Sequence, residues 1–368
     1  MDFLLVCDAM MDLEGGNRPA ACLAYELARR GFDVSVASPV MSRDVEGWLN
    51  RAGITPINLK AKLLCKGLGY SLLWFELWTR EAFFRLTSRR LGKAFATVNF
   101  SHVLATEALF WYAQGATSMA LEDGWMDMPK AYRLGYMASK PVIGWADRLL
   151  VKEVCNRSRF VIANSRFCAS MYEKYGVKIH KVIYPPIDLN IFKPTTSRPT
   201  EDYVLTYLGK ESKTSVIKKV ADRGVKIKAF GSKPPFLKDE LKKHPNIELL
   251  GRVPTRRLVE LYSNALYTLF TFTHEPFGYI PLESMACGTP VLTYNKQGPS
   301  ETVIHGRTGW LVQDDDEMVE TAEKLWKNGY NHQARTQCVK EAEKLDTSHY
   351  IQAWSDVLQK ALNAEQAR

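Results

Sequence analysis

Short apolar, β-branched runs alternate along this chain with longer segments whose apolar positions recur at helical spacing. The short runs predict strands at Phe3–Cys7, Val34–Ala37, Pro56–Leu59, His102–Ala105, Ser118–Leu121, Phe160–Ala163 and Lys181–Ile183. After a break they predict further strands at Tyr203–Leu208, Lys226–Phe230, Ile247–Leu250, Tyr267–Phe272, Val291–Thr293 and Trp310–Val312. Segments of helical length lie between them, among them Pro19–Arg30, Arg166–Tyr175, Thr255–Asn264 and Asp316–Asn328. Alternating β and α elements imply parallel sheets covered by helices on both faces. The break at 193–202 holds Pro194 and Pro199 among small polar residues, the composition of a linker. It separates an N-terminal doubly wound domain, residues 1–193, from a C-terminal one, residues 203–345, with a last helix over 346–368. Ligands of doubly wound sheets bind beyond the C-terminal strand ends. Two such domains facing each other would line a cleft with those loops.

Composition narrows the class. The 368 residues are 46% hydrophobic and 24% charged, as in ordinary globular proteins. No apolar run reaches the ~18 residues that span a bilayer. The strand at Phe3–Cys7 starts so early that no signal peptide is expected, which points to the cytoplasm. The seven cysteines are scattered without a Cys-x-x-Cys pair, so they read as small buried hydrophobes, not zinc ligands or disulfides. The net charge of +9 suits phosphorylated substrates or anionic lipid. No helix-turn-helix, zinc-finger or RNA-binding pattern is present, so nucleic acid is not an expected partner.

The chemistry concentrates in residues 274–310. Glu275 and Glu283 bracket Pro276, Phe277, Gly278, Tyr279, Ile280, Pro281 and Leu282. Proline suits a first helical turn, so a helix is predicted from about Pro281. Gly288 and Pro290 end it. The loop amides would then lie at a helix N-terminus, where an anion is favoured. One carboxylate precedes that turn and the other lies within it. This arrangement suits a ligand with a phosphate and several hydroxyls, a nucleotide sugar. A glutamate in a first helical turn can also simply complement the helix dipole.

The run from His274 to Tyr294, with Gly298–Glu301 and His305–Trp310 after it, resembles the donor-binding segment of retaining family 4 glycosyltransferases. That resemblance is strong over this segment and looser over the rest of residues 1–320. It implies an α/β protein of GT-B fold, two doubly wound Rossmann-like domains facing across a cleft. It further implies that Glu283 accepts the ribose hydroxyls and that Glu275 lies beside the transferred sugar. The backbone at Phe277, Gly278, Tyr279 and Ile280 would touch sugar hydroxyls and phosphate. Gly209 and Lys210 take the place of the family's Gly-Arg, whose cations hold the diphosphate. Lysine lacks arginine's fork. The next lysine, Lys213, stands three positions on instead of five, with Lys218 and Lys219 as competitors. Arg252 and Val253 occupy the turn that holds the base. Gly15 and Gly16 occupy the loop near the diphosphate and acceptor, although a plain strand-to-helix turn reads the same way. Glu122 or Asp123 stands near the family's fifth strand end, where it could meet the donor sugar or orient the acceptor. Tyr184, Pro185 and Pro186 resemble a variant associated with mannosyl transfer. With Gly298–Glu301 they point to GDP-mannose as donor.

The Asp314, Asp315, Asp316 triplet precedes an obvious helix and reads as its cap, not a metal site. The family needs no metal, and no other cofactor is expected. Residues 60–93 carry Lys60, Lys62, Lys66, Arg80, Arg85, Arg89, Arg90 and Lys93 against only Glu76 and Glu81, with Tyr70, Trp74, Phe75, Trp78, Phe83 and Phe84 among them. Such a helix either packs its rings on the first sheet or lies on an anionic membrane, on its inner face if the acceptor is lipid-linked. The reading is a retaining hexosyltransferase with a glycan or lipid-linked acceptor. The alternatives are a non-catalytic nucleotide-sugar-binding or scaffold protein on the same fold, a sugar-nucleotide epimerase or phosphorylase, or a membrane adaptor that binds no nucleotide.

Overall fold

The computed structural model describes residues 2–64, 70–85, 91, 96–125, 130–199, 202–209, 211–231, 237 and 239–366, without the side chains at 70–72, 74, 120, 122–124, 362 and 364–366. In chain order the first elements are β1 (Asp2–Val6), α1 (Arg18–Arg29), β2 (Asp33–Ser38), α2 (Arg43–Arg51), β3 (Thr55–Asn58), α3 (Tyr70–Phe83), β4 (Ala96–Asn99), β5 (Ala108–Ala113), α4 (Thr117–Gly124), α5 (Lys130–Asn156), β6 (Ser158–Ala163), α6 (Arg166–Glu173) and β7 (Lys181–Val182). They continue as β8 (Val204–Tyr207), α7 (Thr214–Asp222), β9 (Ile227–Phe230), α8 (Asp239–Lys242), β10 (Ile247–Gly251), α9 (Thr255–Asn264), β11 (Thr268–Leu269), α10 (Tyr279–Ala286), β12 (Val291–Tyr294), β13 (Gly309–Val312), α11 (Asp315–Asn328), α12 (Gln333–Glu343) and α13 (Thr347–Gln366).

Two compact units result. One comprises residues 1–118, 140–186 and 348–368, the other 119–139 and 187–347. The chain passes from the first to the second at Pro186 and Ile187, not within 193–202 as its composition predicts. Thr195 N and Thr196 Oγ1 are tied to Ser263, which holds that proline-rich stretch against the second unit. The other divisions fall inside α4, between Ser118 and Met119, inside α5, between Ser139 and Lys140 and beside Pro141, and at the start of α13, between Thr347 and Ser348.

The first unit has a parallel sheet ordered β3-β2-β1-β4-β5-β6-β7, the second one ordered β10-β9-β8-β11-β12-β13. Strand order reverses at β1/β4 in one and at β8/β11 in the other. Those switch points are where such sheets bind ligands. The first core gathers Phe3, Leu5, Val34, Val36, Val98, Phe110 and Tyr112 from the sheet, and Leu23, Leu27, Tyr350, Ile351 and Trp354 from α1 and α13. The second gathers Val204, Ile227, Leu269 and Leu292 with Val216, Val220, Met318 and Leu325.

Two predicted strands are corrected. His102–Ala105 is a loop, and the ladder runs instead through β4 and β5. Val103 and Leu104 are fully buried, but their N–H groups donate to Ser101 Oγ at 3.0 and 2.8 Å, and Asn99 Nδ2 donates to Leu104 O at 2.8 Å. Side chains thus satisfy this backbone and no strand partner is needed. Ser118–Leu121 lies in α4, a short apolar run whose period does not distinguish strand from helix. Of the cysteines, Cys7, Cys168, Cys287 and Cys338 are buried thiols, and burial pushes Cys338 up to about 12.

The aromatic stretch at 60–93 buries some of its apolar side chains and exposes others. Leu73, Leu77 and Trp78 are buried, while Phe75, Phe83 and Phe84 are exposed. Lys66, Arg89, Arg90 and Lys93, and the side chains of Tyr70 and Trp74, lie outside the described residues. No helix among the described residues is long and apolar enough to cross a bilayer.

Candidate active site

At the second unit's switch point, the loop after β8 and the loop after β11 are stitched together by Lys213 N, which donates to Thr271 Oγ1 at 3.2 Å. Ser212 Oγ shapes the first loop, accepting from Gly209 N at 2.9 Å and donating to Tyr207 O at 2.9 Å. Lys210, a predicted catalytic cation, lies outside the described residues.

Beyond β11 the chain reaches Glu275 and turns at Gly278, which has φ of +95° and caps α10. That conformation, and the Pro299 side chain 2.5 Å from where a Cβ would stand, both require glycine. The helix starts at Tyr279, two residues before the predicted Pro281, so Glu283 sits in its second turn and not its first. Its first intrahelical bond runs from Leu282 N to Gly278 O at 3.4 Å, and Pro281 brings no N–H. The first N–H groups of a helix have no intrahelical acceptor, which gives this turn its anion-binding character. Phe277 is buried, whereas Tyr279 and Ile280 are half-buried.

Glu283 is 6% exposed, and Tyr262 Oη donates to its Oε2 at 3.3 Å. Glu275 is half-buried and its backbone is clasped from β12's following turn. Glu275 N donates to Gln297 Oε1 at 3.2 Å, and Gly298 N donates to Glu275 O at 2.9 Å. Gln297, 1% exposed, is fixed in turn by Thr293 Oγ1 at 3.0 Å. Sequence reasoning missed Tyr262 and Gln297. Their only signal is position, in α9 and just before Gly298. Arg252 and Val253 follow β10 at the sheet's edge, Arg252 exposed and Val253 half-buried.

Lys213 is engaged within the second unit. Its Nζ lies 2.7 Å from Asp315 Oδ1 and 4.9 Å from the centroid of the Tyr294 ring, and Tyr294 Oη donates to the same carboxylate oxygen at 2.6 Å. The predicted diphosphate ligand is thus held by an acid on α11. Neighbouring Asp314 caps α11, accepting from Asp316 N and Glu317 N at 3.1 and 2.9 Å. Burial pushes the Asp315 carboxyl up, but the Lys213 and Tyr294 bonds outweigh it and hold the group below the usual aspartate range. A carboxyl depressed on folding stabilises above its unfolded pKa, and that contribution is lost as pH falls through the folded value. Asp315→Asn should therefore lower the melting temperature at neutral pH and converge on wild type in acid. A pH-independent offset in thermal melts excludes this account.

The first unit's switch point holds Gly15 and Gly16 in a short 3-10 turn before α1, Gly15 with φ of +53°. Asp8, two residues past β1, accepts from Ser101 Oγ and from His102 N at 3.4 Å, and lies 3.3 Å from His102 Nε2. Residues 122 and 123 fall near the end of α4, not at a strand end, and the Asp123 side chain lies outside the described residues. Among the described residues no group of three His, Cys, Asp or Glu side chains is placed to hold a metal.

Two parallel doubly wound sheets of this kind define the GT-B fold. Sucrose-phosphate synthase from Thermosynechococcus elongatus superposes with a TM-score of 0.73 at 15% identity, over 99% of both chains. Anabaena HepE in complex with UDP-glucose does so with a TM-score of 0.69 at 15% identity, over 97% of this chain and 99% of that one. Residues 224–345 match the family model of glycosyl transferases group 1. The α-1,3/1,6-mannosyltransferase alg-2 of Neurospora crassa is 42% identical over 74 residues, 20% of this chain and 16% of that protein. The likeness to mannosyltransferase-type members of family 4 is thus upheld, over a limited part of each curated relative's length.

Proposed function

We propose that this chain is a retaining, metal-independent hexosyltransferase that uses a nucleoside diphosphate sugar and an acceptor hydroxyl. The observation that carries the reading is the buried Glu283 behind the Gly278 turn, at the switch point of a group 1 domain. A carboxylate there suits ribose hydroxyls, and the first turn of α10 suits a phosphate. Glu275 is assigned beside the sugar. Lys210 and the loop amides stabilise charge developing on the leaving diphosphate. The favoured donor is GDP-mannose, supported by Tyr184, Pro185 and Pro186 and by the likeness to alg-2. The favoured acceptor is a glycan, lipid-linked and presented at an anionic membrane surface.

A thermal-shift screen over GDP, UDP and their sugars tests the donor class, because a specific ligand raises apparent stability by mass action. Glu283→Ala should weaken nucleotide binding by roughly 1.5–3 kcal/mol, the worth of a charge-assisted hydrogen bond. Glu275→Ala should mainly cut turnover. Unchanged binding and kinetics in both variants would remove the assignment. Nucleotide binding without transfer to any acceptor would instead favour a binding protein.

A further inference from the structure

A surface helix of a globular protein turns its apolar side inward and a polar side to water. The second half of α5 breaks this pattern. Ala146, Asp147, Leu150, Val151 and Val154 face the interior. On the outward side, Val142, Trp145 and Leu149 are 55%, 57% and 42% exposed. Their spacing of three and then four residues aligns them along one face. Lys140, Arg148 and Lys152 are exposed around them. The only acid from 130 to 152, Asp147, is 2% exposed and turned inward, accepting from Trp78 Nε1 at 3.3 Å and from Ser118 Oγ at 2.6 Å. The outward face is therefore apolar along its middle and cationic at its margins; Glu153, four positions after Leu149, is already paired with Arg85 and Arg157.

Exposed apolar side chains scattered singly need no explanation, but a contiguous stripe marks a contact surface. Its rim names the partner. A protein partner with an apolar patch has no need of a net cationic margin, whereas an anionic leaflet supplies both complements. The rings and aliphatics enter the acyl boundary and the cations meet the phosphates. Trp145 has the amphipathic ring that seats at headgroup level.

We propose that the outward face of the second half of α5 is a docking surface for an anionic membrane leaflet. It rests on the membrane part of the reading above and moves the contact from residues 60–93 to α5.

The test is co-sedimentation with phosphatidylcholine vesicles, with and without phosphatidylglycerol. Wild type should pellet only with the anionic vesicles, and less at high salt. Val142→Ser/Trp145→Ser/Leu149→Ser should lower the vesicle partition about tenfold or more, with an unchanged melting temperature and an unchanged thermal shift from nucleoside diphosphate. Lys140→Glu/Arg148→Glu should do the same and abolish the salt dependence. If wild type pellets and both variants pellet equally well, the α5 assignment is overturned while membrane attachment stands. If wild type ignores anionic vesicles, both fall. If it self-associates through this face instead, seen as a dimer in sedimentation that the triple variant dissolves, α5 is a homotypic interface and the proposal fails. None of these outcomes bears on donor binding, which the thermal shift reads separately.

Discussion

Trp354→Ala should cost the first unit about 3–5 kcal/mol, the range for deleting a fully buried large aromatic. The indole is 0% exposed and lies at the centre of a ring cluster, with centroids 5.8 Å from Phe100, 5.8 Å from Phe110, 5.7 Å from Tyr112 and 6.3 Å from Tyr350. Phe100, Phe110 and Tyr112 come from the loop after β4 and from β5, whereas Trp354 and Tyr350 come from α13, far along the chain. The last helix therefore completes the core of the first sheet. Trp354→Phe should cost much less. It keeps most of the buried ring and removes an Nε1–H that is buried without an acceptor among the described residues, so one desolvation penalty disappears with it. Urea unfolding followed by far-UV circular dichroism gives both values. Equal losses for Ala and Phe, or a loss below ~1 kcal/mol for Ala, would show that α13 merely rests on the sheet.

Much of the architecture was legible because parallel sheets buried on both faces write themselves as continuous apolar runs. The predicted run at Val291–Thr293 lies in β12, and Thr255–Asn264 matches α9 residue for residue. The errors fall where something other than the ladder satisfies the backbone. At 102–105 the apolar side chains are as buried as any strand's, yet Ser101 and Asn99 supply the hydrogen bonds. At 193–202 proline and small polar residues resemble a linker, but the bonds to Ser263 anchor part of that stretch within the second unit. Hydropathy cannot register a side-chain bond to a residue 67 or 68 positions away.

The same distinction divides the candidate site. Glu275, Phe277, Gly278, Tyr279, Ile280 and Glu283 were readable together because they occupy one loop and the helix it opens. Gln297 and Tyr262 were not, since each reaches that loop only through the fold, 22 and 21 positions away. Lys213 shows the same limit on a charged group. The resemblance offers it as a diphosphate ligand at a shorter spacing than the family's, while its partner Asp315 stands 102 positions later and reads in sequence only as part of a helix cap. Local sequence specifies the candidate loop, and tertiary contacts decide which neighbouring charges are already engaged.

Gly298→Ala should disable the candidate donor loop. A Cβ there would stand 2.2 Å from Pro276 O, 2.5 Å from Pro276 C and 2.6 Å from Phe277 Cα. These are backbone atoms, so no rotamer change relieves the clash, and the 275–278 turn must move as a body. That movement breaks Gly298 N to Glu275 O and strains Glu275 N to Gln297 Oε1. It also shifts Gly278, the residue that aims the first turn of α10. Overpacking typically costs about 1–3 kcal/mol of stability, and a backbone clash lies toward the upper end. Nucleoside diphosphate affinity should fall about a hundredfold, equivalent to roughly 2.7 kcal/mol. Gln297→Ala removes the same clasp without the clash, so it should fall between Gly298→Ala and wild type. Calorimetric titration with the nucleotide identified by thermal shift, alongside a melt of each variant, separates lost affinity from lost fold. Wild-type affinity in Gly298→Ala would mean that the turn can move without consequence, and the loop from Glu275 to Ile280 would then not be where the donor binds.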